Sequence, residues 1–420
     1  MEKFVINGGL TLNGNVGVQS AKNSVLPLIA ASIIHEGKTY IEKCPKIYDV
    51  TVMTRIIEKL GGSAHFIGDT LAIDTRDVND WKLPSDLTGE IRASLFMVGA
   101  LLTRFGYAAI STPGGCDIGD RPIDIHIDSL RDLGVNVYEG ETVIFSAGRK
   151  GGGRTKLRYK SVGATENAMM AAIKREGVTL IENAAKEPEI VDLQNYLVAI
   201  GCKVRGAGGD VIEIEGVKTL KGGEVSFKPV PDRIEAGTFL LAGAICGGEL
   251  RFLPESLKNS PALMKIIENN ACKIYNNNGK IEYIKFSGRY GGFGKVIVDP
   301  YPEFPTDLQP QLVAASSFAD GVTVVEERVF KRRFGYVAQL LKTGADVSVF
   351  DNACVIVGRK DIHGANMAAG DLRGGAAVLL QALGAKGRSE VSGAHHIDRG
   401  YESIEDKLRL LGADIQRISF

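Results

Sequence analysis

The chain has 420 residues, 44% hydrophobic and 24% charged, with 50 basic residues against 50 acidic ones. That length exceeds one ordinary core and predicts two domains. The even charge provides no global field to recruit nucleic acid or an anionic membrane, so neither is expected as a partner. The N-terminus, Met1 to Gly9, lacks the apolar core and small-residue cleavage site of a secretory signal, and the apolar run 25–34 carries Pro27 and is too short to span a bilayer. A cytoplasmic location is therefore expected.

The predicted elements repeat along the chain. After a first strand at 4–6, Lys22-Asn23 leads an apolar, small-residue helix over 24–34; a polar-glycine turn and a strand over 38–41 follow, and an amphipathic helix closes at Leu60-Gly61. In the second copy Glu90-Ile91-Arg92 leads the apolar helix over 92–104, and the amphipathic helix closes at Leu133-Gly134. The third has an apolar helix over 168–174, a strand over 178–181 and a close at Ile200-Gly201. Asp232-Arg233-Ile234-Glu235 opens the fourth, whose helix spans 237–245 and whose close, Asn270-Ala271-Cys272, has no glycine. Thr306-Asp307 precedes the fifth apolar helix at 312–319, which closes at Thr343-Gly344, and Asp371-Leu372-Arg373 precedes the sixth, closing at Leu411-Gly412.

Successive copies lie about 70 residues apart. Glycine at five of the six closes suits the left-handed residue that ends a helix. The apolar helices carry Ala, Gly, Leu and Met nearly all round and should be buried on every face. Three such units can surround their own buried helices with outward-facing sheets, and six give two domains of three. The strand at 4–6 stands ahead of the first full helix and fits either domain.

One segment breaks the pattern. Between Ser111 and Pro122 the chain reads Ser-Thr-Pro-Gly-Gly-Cys-Asp-Ile-Gly-Asp-Arg-Pro, with three glycines and no apolar period, so it is an exposed loop carrying Cys116. Arg121 would lower the pKa of that thiol from its usual value of roughly 8.5, while Asp117 and Asp120 would raise it, which leaves its free state open. The other cysteines (44, 202, 246, 272 and 354) stand mostly in apolar stretches, with no C-x-x-C pair and no histidine at metal spacing, so no zinc site or disulfide framework is expected.

Charged residues recur ahead of the apolar helices. Equivalent copies would bring Lys22, Arg92, Arg121, Arg373 and Arg399 near helix starts suited to a phosphate or carboxylate. Other candidates are weaker. Residues 150–156 are glycine-rich but lack the Gly-Lys-Ser/Thr ending of a phosphate loop, and read as a hairpin or linker. His395-His396, placed on a strand, would point its side chains apart and make a poor metal site.

Several pieces, in order, resemble the UDP-N-acetylglucosamine 1-carboxyvinyltransferase (MurA) family of enolpyruvyl transferases. They are Ala21-Lys22-Asn23 with Leu26-Pro27, Pro113-Gly114-Gly115-Cys116 with Arg121-Pro122-Ile123-Asp124, Ser161 to Asn167, Glu187 to Asp192, Pro231 to Phe239, Phe304-Pro305-Thr306-Asp307 and His396-Ile397-Asp398-Arg399-Gly400-Tyr401. The resemblance covers essentially the whole chain. It implies two inside-out α/β barrel domains of three repeats each, with the active site in the inter-domain cleft. The expected division is a segment 1–21 pairing with the C-terminal domain, an N-terminal domain 22–230 and a C-terminal domain 231–420.

The activity it implies is transfer of the enolpyruvyl group of phosphoenolpyruvate to the 3-hydroxyl of UDP-N-acetylglucosamine with release of phosphate, the first committed step of peptidoglycan synthesis, with no metal or organic cofactor. By resemblance Cys116 is the general acid and the site of a covalent phosphoenolpyruvate adduct, and Asp307 is the base. Lys22, Arg121 and Arg399 hold phosphate and carboxylate, with Arg92 and Arg373 assisting. Asn23, Arg121, Pro122, Ile123, Asp124, Ile125, Ser161, Val162, Gly163, Asp307 and Val329 match the nucleotide-sugar contacts. Cysteine at 116 implies sensitivity to fosfomycin, which alkylates that thiol in relatives. The sequence departs from the usual pattern at Lys331-Arg332, where Glu-Asn is common, and at Gly370, where Thr is common. The alternatives are a shikimate-phosphate enolpyruvyl transferase of the same fold and a non-catalytic repeat scaffold or sensor.

Overall fold

The computed structural model describes residues 2–111, 123–148, 151–220, 222–277, 279, 281–288 and 290–419. The described residues of Met1–Val18 and Pro231–Phe420 gather into one compact unit, and those of Gln19–Gly115 and Arg121–Val230 into a second. Among the described residues each unit holds three sheets and three central helices.

The first repeat shows how a unit is made. The central helix Lys22–Ala31 leads to strand Gly37–Ile41, the outer helix Tyr48–Lys59 and the hairpin Ser63–Ile67 with Thr70–Asp74. Strand Thr70–Asp74 sits mid-sheet, antiparallel on both sides, with Ile73 opposite both Thr39 and Ala64. The outer helix is one-sided: Val50, Val52, Met53, Ile56 and Ile57 are buried while Thr51, Arg55 and Glu58 face solvent. The central helices have no polar stripe because no face meets water. Every residue from Ala164 to Ala172, from Arg233 to Ile245 and from Leu372 to Leu383 is buried.

What closes a unit is a strand handed from each repeat to the next. In the second unit Lys82 bridges to Ala109, Arg154–Lys156 pairs in parallel with Val178–Glu182, and Gly223–Phe227 returns to pair in parallel with Gly37–Ile41 of the first repeat. The other unit follows the same rule. Gly294–Val298 joins Val322–Glu327, Asn366–Ala368 joins Gly387–Ser392, and Leu12–Asn15 joins Gly248–Phe252. Its sixth repeat takes its missing strand from the other end of the chain. Glu2–Gly8 lies between Gly387–Ser392 and Asp414–Ser419, antiparallel to both, in the place Ala353–Val357 holds in the fifth repeat.

The glycine closes hold positive φ at Gly61, Gly134, Gly201, Gly344 and Gly412, while the fourth copy ends at Ala271 with φ −122°. Two local readings are corrected. Described residues of the glycine-rich 150–156 stretch are not a hairpin: Arg154–Lys156 is a hand-over strand, and Gly152 lies so close to the Val178 carbonyl that a side chain would collide with it. His395 and His396 are not on a strand but in the short helix Ala394–Ile397, with ring centroids 4.1 Å apart. No helix among the described residues is long and apolar enough to cross a membrane.

Candidate active site

In the unit built from Gln19–Val230, Lys22 is the first residue of its central helix. Its Nζ lies 2.7 Å from Asp49 Oδ2, and the two side chains are only 10% and 4% exposed. Asp49 stands in the first turn of the outer helix, so the pair joins the starts of two helices of one repeat. Asn23 follows on the same turn, partly exposed. The buried Asp192 braces this helix start, because its Oδ2 accepts from Ser24 Oγ at 2.7 Å and from the Val230 N–H at 2.8 Å. Burial pushes the Asp192 carboxyl up to about 6 despite those two bonds, with Glu189 adding to the rise.

Arg92 opens the 3-10 turn Arg92–Phe96, half-buried. Ile123, Asp124 and Ile125 lie at the start of helix Asp124–Asp132, all partly exposed. Asp124 is ion-paired to Arg158, and its Oδ1 accepts the Ile125 N–H at 2.8 Å. Ser161 is the N-cap of helix Val162–Ala172, its Oγ accepting from the Ala164 N–H at 3.3 Å, so Val162 and Gly163 form the first turn. Cys116, Arg121 and Pro122 lie outside the described residues.

In the other unit Asp307 sits in the 3-10 turn Thr306–Leu308 ahead of the central helix Gln309–Ser316. Its Oδ1 is 3.3 Å from Arg333 Nη2 and its Oδ2 3.1 Å from Arg373 Nη2. The two arginines are 3% and 5% exposed, whereas Asp307 is 29% exposed. Burial alone would weaken the charge on Arg373, but Asp307, then Tyr401 and Asp232, outweigh it and hold the guanidinium charged. Arg373 Nη1 and Arg333 Nε are buried donors with no hydrogen-bond partner among the described residues. Such donors favour an anionic acceptor.

Val329 is tied to the same place by a residue that sequence reading did not single out. Buried Glu327 accepts from the Val329 N–H at 2.8 Å and from Thr306 Oγ1 at 2.9 Å, which links the Asp307 turn to the strand end before Val329. Arg399 follows Asp398, whose two oxygens are held by Arg417 at 2.7 and 2.8 Å. The structure thus groups Asp307, Val329 and Arg373 in one unit and Lys22 with Asn23 in the other.

Asp49, Glu327 and Arg333 are neighbours of the expected site residues that sequence reasoning did not assign. Arg333 had a signal, since it closes the Lys331-Arg332-Arg333 run. Asp49 and Glu327 had none, because Lys22 and Thr306, to which they are bonded, lie 27 and 21 residues away on other elements. Among the described residues no cluster of His, Cys, Asp and Glu is arranged to hold a metal ion.

Comparison with known proteins adds to this geometry. Residues 6–408 match the EPSP synthase (3-phosphoshikimate 1-carboxyvinyltransferase) family. The chain is 46% identical, over the full length of both, to a protein of Caldanaerobacter subterraneus subsp. tengcongensis named UDP-N-acetylglucosamine 1-carboxyvinyltransferase 2. It is 40% identical, again over the full length of both, to the UDP-N-acetylglucosamine 1-carboxyvinyltransferase of Trichlorobacter lovleyi. Among solved structures, the enolpyruvyl transferase NikO from Streptomyces tendae superposes with a TM-score of 0.90 at 25% identity, covering 100% of this chain and 99% of that one.

Proposed function

The chain belongs to the EPSP synthase family of enolpyruvyl transferases, and from that premise we infer that it is a UDP-N-acetylglucosamine 1-carboxyvinyltransferase. It transfers the enolpyruvyl group of phosphoenolpyruvate to the 3-hydroxyl of UDP-N-acetylglucosamine and releases phosphate. This chemistry stands at the entry to peptidoglycan synthesis, and its setting is the cytoplasm.

The reaction is an addition followed by an elimination. The sugar oxygen bonds to C2 of phosphoenolpyruvate as its proton leaves and a proton is delivered to C3, giving a tetrahedral intermediate. Loss of a C3 proton then drives cleavage of the C2–O bond to phosphate and restores the double bond. We assign Asp307 as the group that takes the hydroxyl proton. Its exposed face and its two arginine partners support that reading, because they orient the carboxylate without enclosing it. Cys116 is assigned as proton donor to C3 on the strength of its loop motif alone.

Lys22 and Arg399 are assigned to the phosphate and carboxylate with Arg121, and Arg92 and Arg373 to supporting contacts. Fixed cations stabilise the anionic intermediate without reorganising during the reaction. Asn23, Arg121 to Ile125, Ser161 to Gly163, Asp307 and Val329 are assigned to the nucleotide sugar.

The observation that carries the choice of acceptor is 46% identity over both full lengths to a relative named for UDP-N-acetylglucosamine. The test is phosphate release from phosphoenolpyruvate with either acceptor, with and without fosfomycin. Release with UDP-N-acetylglucosamine, blocked by fosfomycin, is expected. Release with shikimate 3-phosphate alone would assign the chain to the other branch of the family, and release with neither would leave it a non-catalytic relative.

A further inference from the structure

Helix Asp124–Asp132 carries a residue that the assignments above leave unused. His126 is buried on that helix, and its Nδ1 lies 2.9 Å from Asn167 Nδ2. Which nitrogen of the ring bears hydrogen can be worked out from the amide opposite it. Asn167 Oδ1 lies 2.8 Å from the backbone N–H of Gly99, which can only donate. The atom facing His126 is therefore the amide nitrogen, whose other hydrogen goes to the Leu95 carbonyl at 2.9 Å. With both amide hydrogens and the amide oxygen so placed, Nδ1 of His126 must accept, and the ring proton must sit on Nε2.

The far edge of that ring meets the first turn of helix Val162–Ala172. A Cβ on Gly163 would come within 2.9 Å of His126 Cε1 and 3.3 Å of Nε2. Glycine at 163 is thus what allows the imidazole to lie against this position of the helix start. A second glycine makes the arrangement possible from behind, since a Cβ on Gly99 would lie 3.0 Å from Asn167 Oδ1.

We propose that Asn167 is a positioning residue that holds His126 as its Nε2–H imidazole against Gly163, where that N–H donates to an acceptor oxygen of the nucleotide sugar. The proposal rests on the assignment of Ser161 to Gly163 as nucleotide-sugar contacts. Asn167 itself touches no substrate. It acts by denying His126 the other tautomer, which would present a bare nitrogen to the same oxygen.

Two measurements test this. In ligand-free protein labelled with 15N-histidine, the His126 signals, identified among the six histidines by their loss in His126→Gln, should show a bare Nδ1 and a protonated Nε2. A proton on Nδ1 overturns the proposal, and this readout does not depend on the substrate being the one assigned above. In Asn167→Asp an acceptor replaces the donor, so the neutral His126 ring should move its proton from Nε2 to Nδ1, and with the Nε2–H donor lost the Kd for UDP-N-acetylglucosamine should rise about tenfold. An unchanged tautomer and affinity overturn it.

If that variant does not fold, the ring itself is compared. His126→Phe should lose about tenfold in affinity, while His126→Gln, whose side-chain amide can replace the Nε2–H donor, should stay within about threefold of the parent. Equal affinity of the Phe variant and the parent overturns the donor role. Failure of the parent protein to bind UDP-N-acetylglucosamine would refute the functional assignment and, with it, the donor half of the proposal, whatever the tautomer.

Discussion

Asp307 and Arg373 stand 3.1 Å apart, the carboxylate partly open to solvent and the guanidinium buried at its back. With Arg333 on the second oxygen, the carboxylate is oriented from two sides before any substrate arrives. Asp307→Asn keeps the shape but cannot take up the hydroxyl proton, so kcat is expected to fall by roughly 10²–10⁴-fold with a much smaller change in the Kd for UDP-N-acetylglucosamine. Steady-state kinetics and calorimetry separate the two effects. A kcat within tenfold of the parent would remove Asp307 from the role of base.

The Lys22–Asp49 pair makes a stability prediction. Both side chains are almost wholly out of solvent, so removing the carboxylate takes away a partner 2.7 Å from a buried ammonium. Breaking a buried pair from one side costs about 3–5 kcal/mol. Asp49→Asn should therefore lower the urea midpoint markedly, and Lys22→Met with Asp49→Leu should recover much of the loss while abolishing turnover. A single Asp49→Asn variant as stable as the parent would mean that the pair contributes nothing in solution.

Thiol chemistry should be confined to one residue. Burial pushes the thiols of Cys202, Cys246, Cys272 and Cys354 up to about 12, so their thiolate is scarce near neutral pH. Cys44 is also buried. Fosfomycin followed by peptide mass mapping is expected to mark Cys116, and Cys116→Ser should lose both the label and turnover near neutral pH. A label on any of the other five would reassign the reactive group.

Part of this was legible in the chain and part was not, and the division has a physical cause. The glycine closes and the mainly apolar helices are local signals, set by φ at Gly61 or Gly344 and by burial on every face of Arg233–Ile245, so they show in a single window of sequence. The hand-over strands do not. Arg154–Lys156 is three residues long and is held by pairing with Val178–Glu182, not by any period of its own. Likewise Lys22, Arg92 and Asp307 announce themselves by standing before apolar helices. Asp49 and Asn167 matter only through partners brought near by the fold, and Asn167 reaches Gly99 across 68 positions.

The repeat makes a prediction about two glycines. Gly216 and Gly358 follow the second hairpin strand of the third and fifth repeats, and their N–H groups donate to the equivalent carbonyls of Gly177 and Gly321, at 2.9 and 3.0 Å. A Cβ at Gly216 would run into the Arg175 carbonyl and one at Gly358 into the Ala319 carbonyl. Backbone cannot yield as a side-chain tip can, so Gly216→Ala and Gly358→Ala should each destabilise by about 2–4 kcal/mol. Gly68→Ala and Gly370→Ala are useful contrasts. Both positions have open space, but Gly68 has φ +65°, so only that variant should show a backbone cost of about 1 kcal/mol. Equal midpoints for Gly358→Ala and Gly370→Ala would contradict the packing argument.

Asp192 gives a prediction in pH. Its carboxyl is pushed up to about 6 by burial, from about 3.9 in an unfolded chain. Between those values the folded state holds more protons than the unfolded one, so this group's contribution falls as pH rises from about 4 to about 6 and is flat above. At roughly 1.4 kcal/mol per pH unit, the fall amounts to about 2–3 kcal/mol. Asp192→Asn retains an oxygen that can accept from Ser24 and Val230 but does not titrate. Its stability relative to the parent should therefore improve by that amount between pH 4 and pH 7, measured by urea unfolding at each. A difference independent of pH would show that Asp192 ionises in the folded protein as readily as in the unfolded chain.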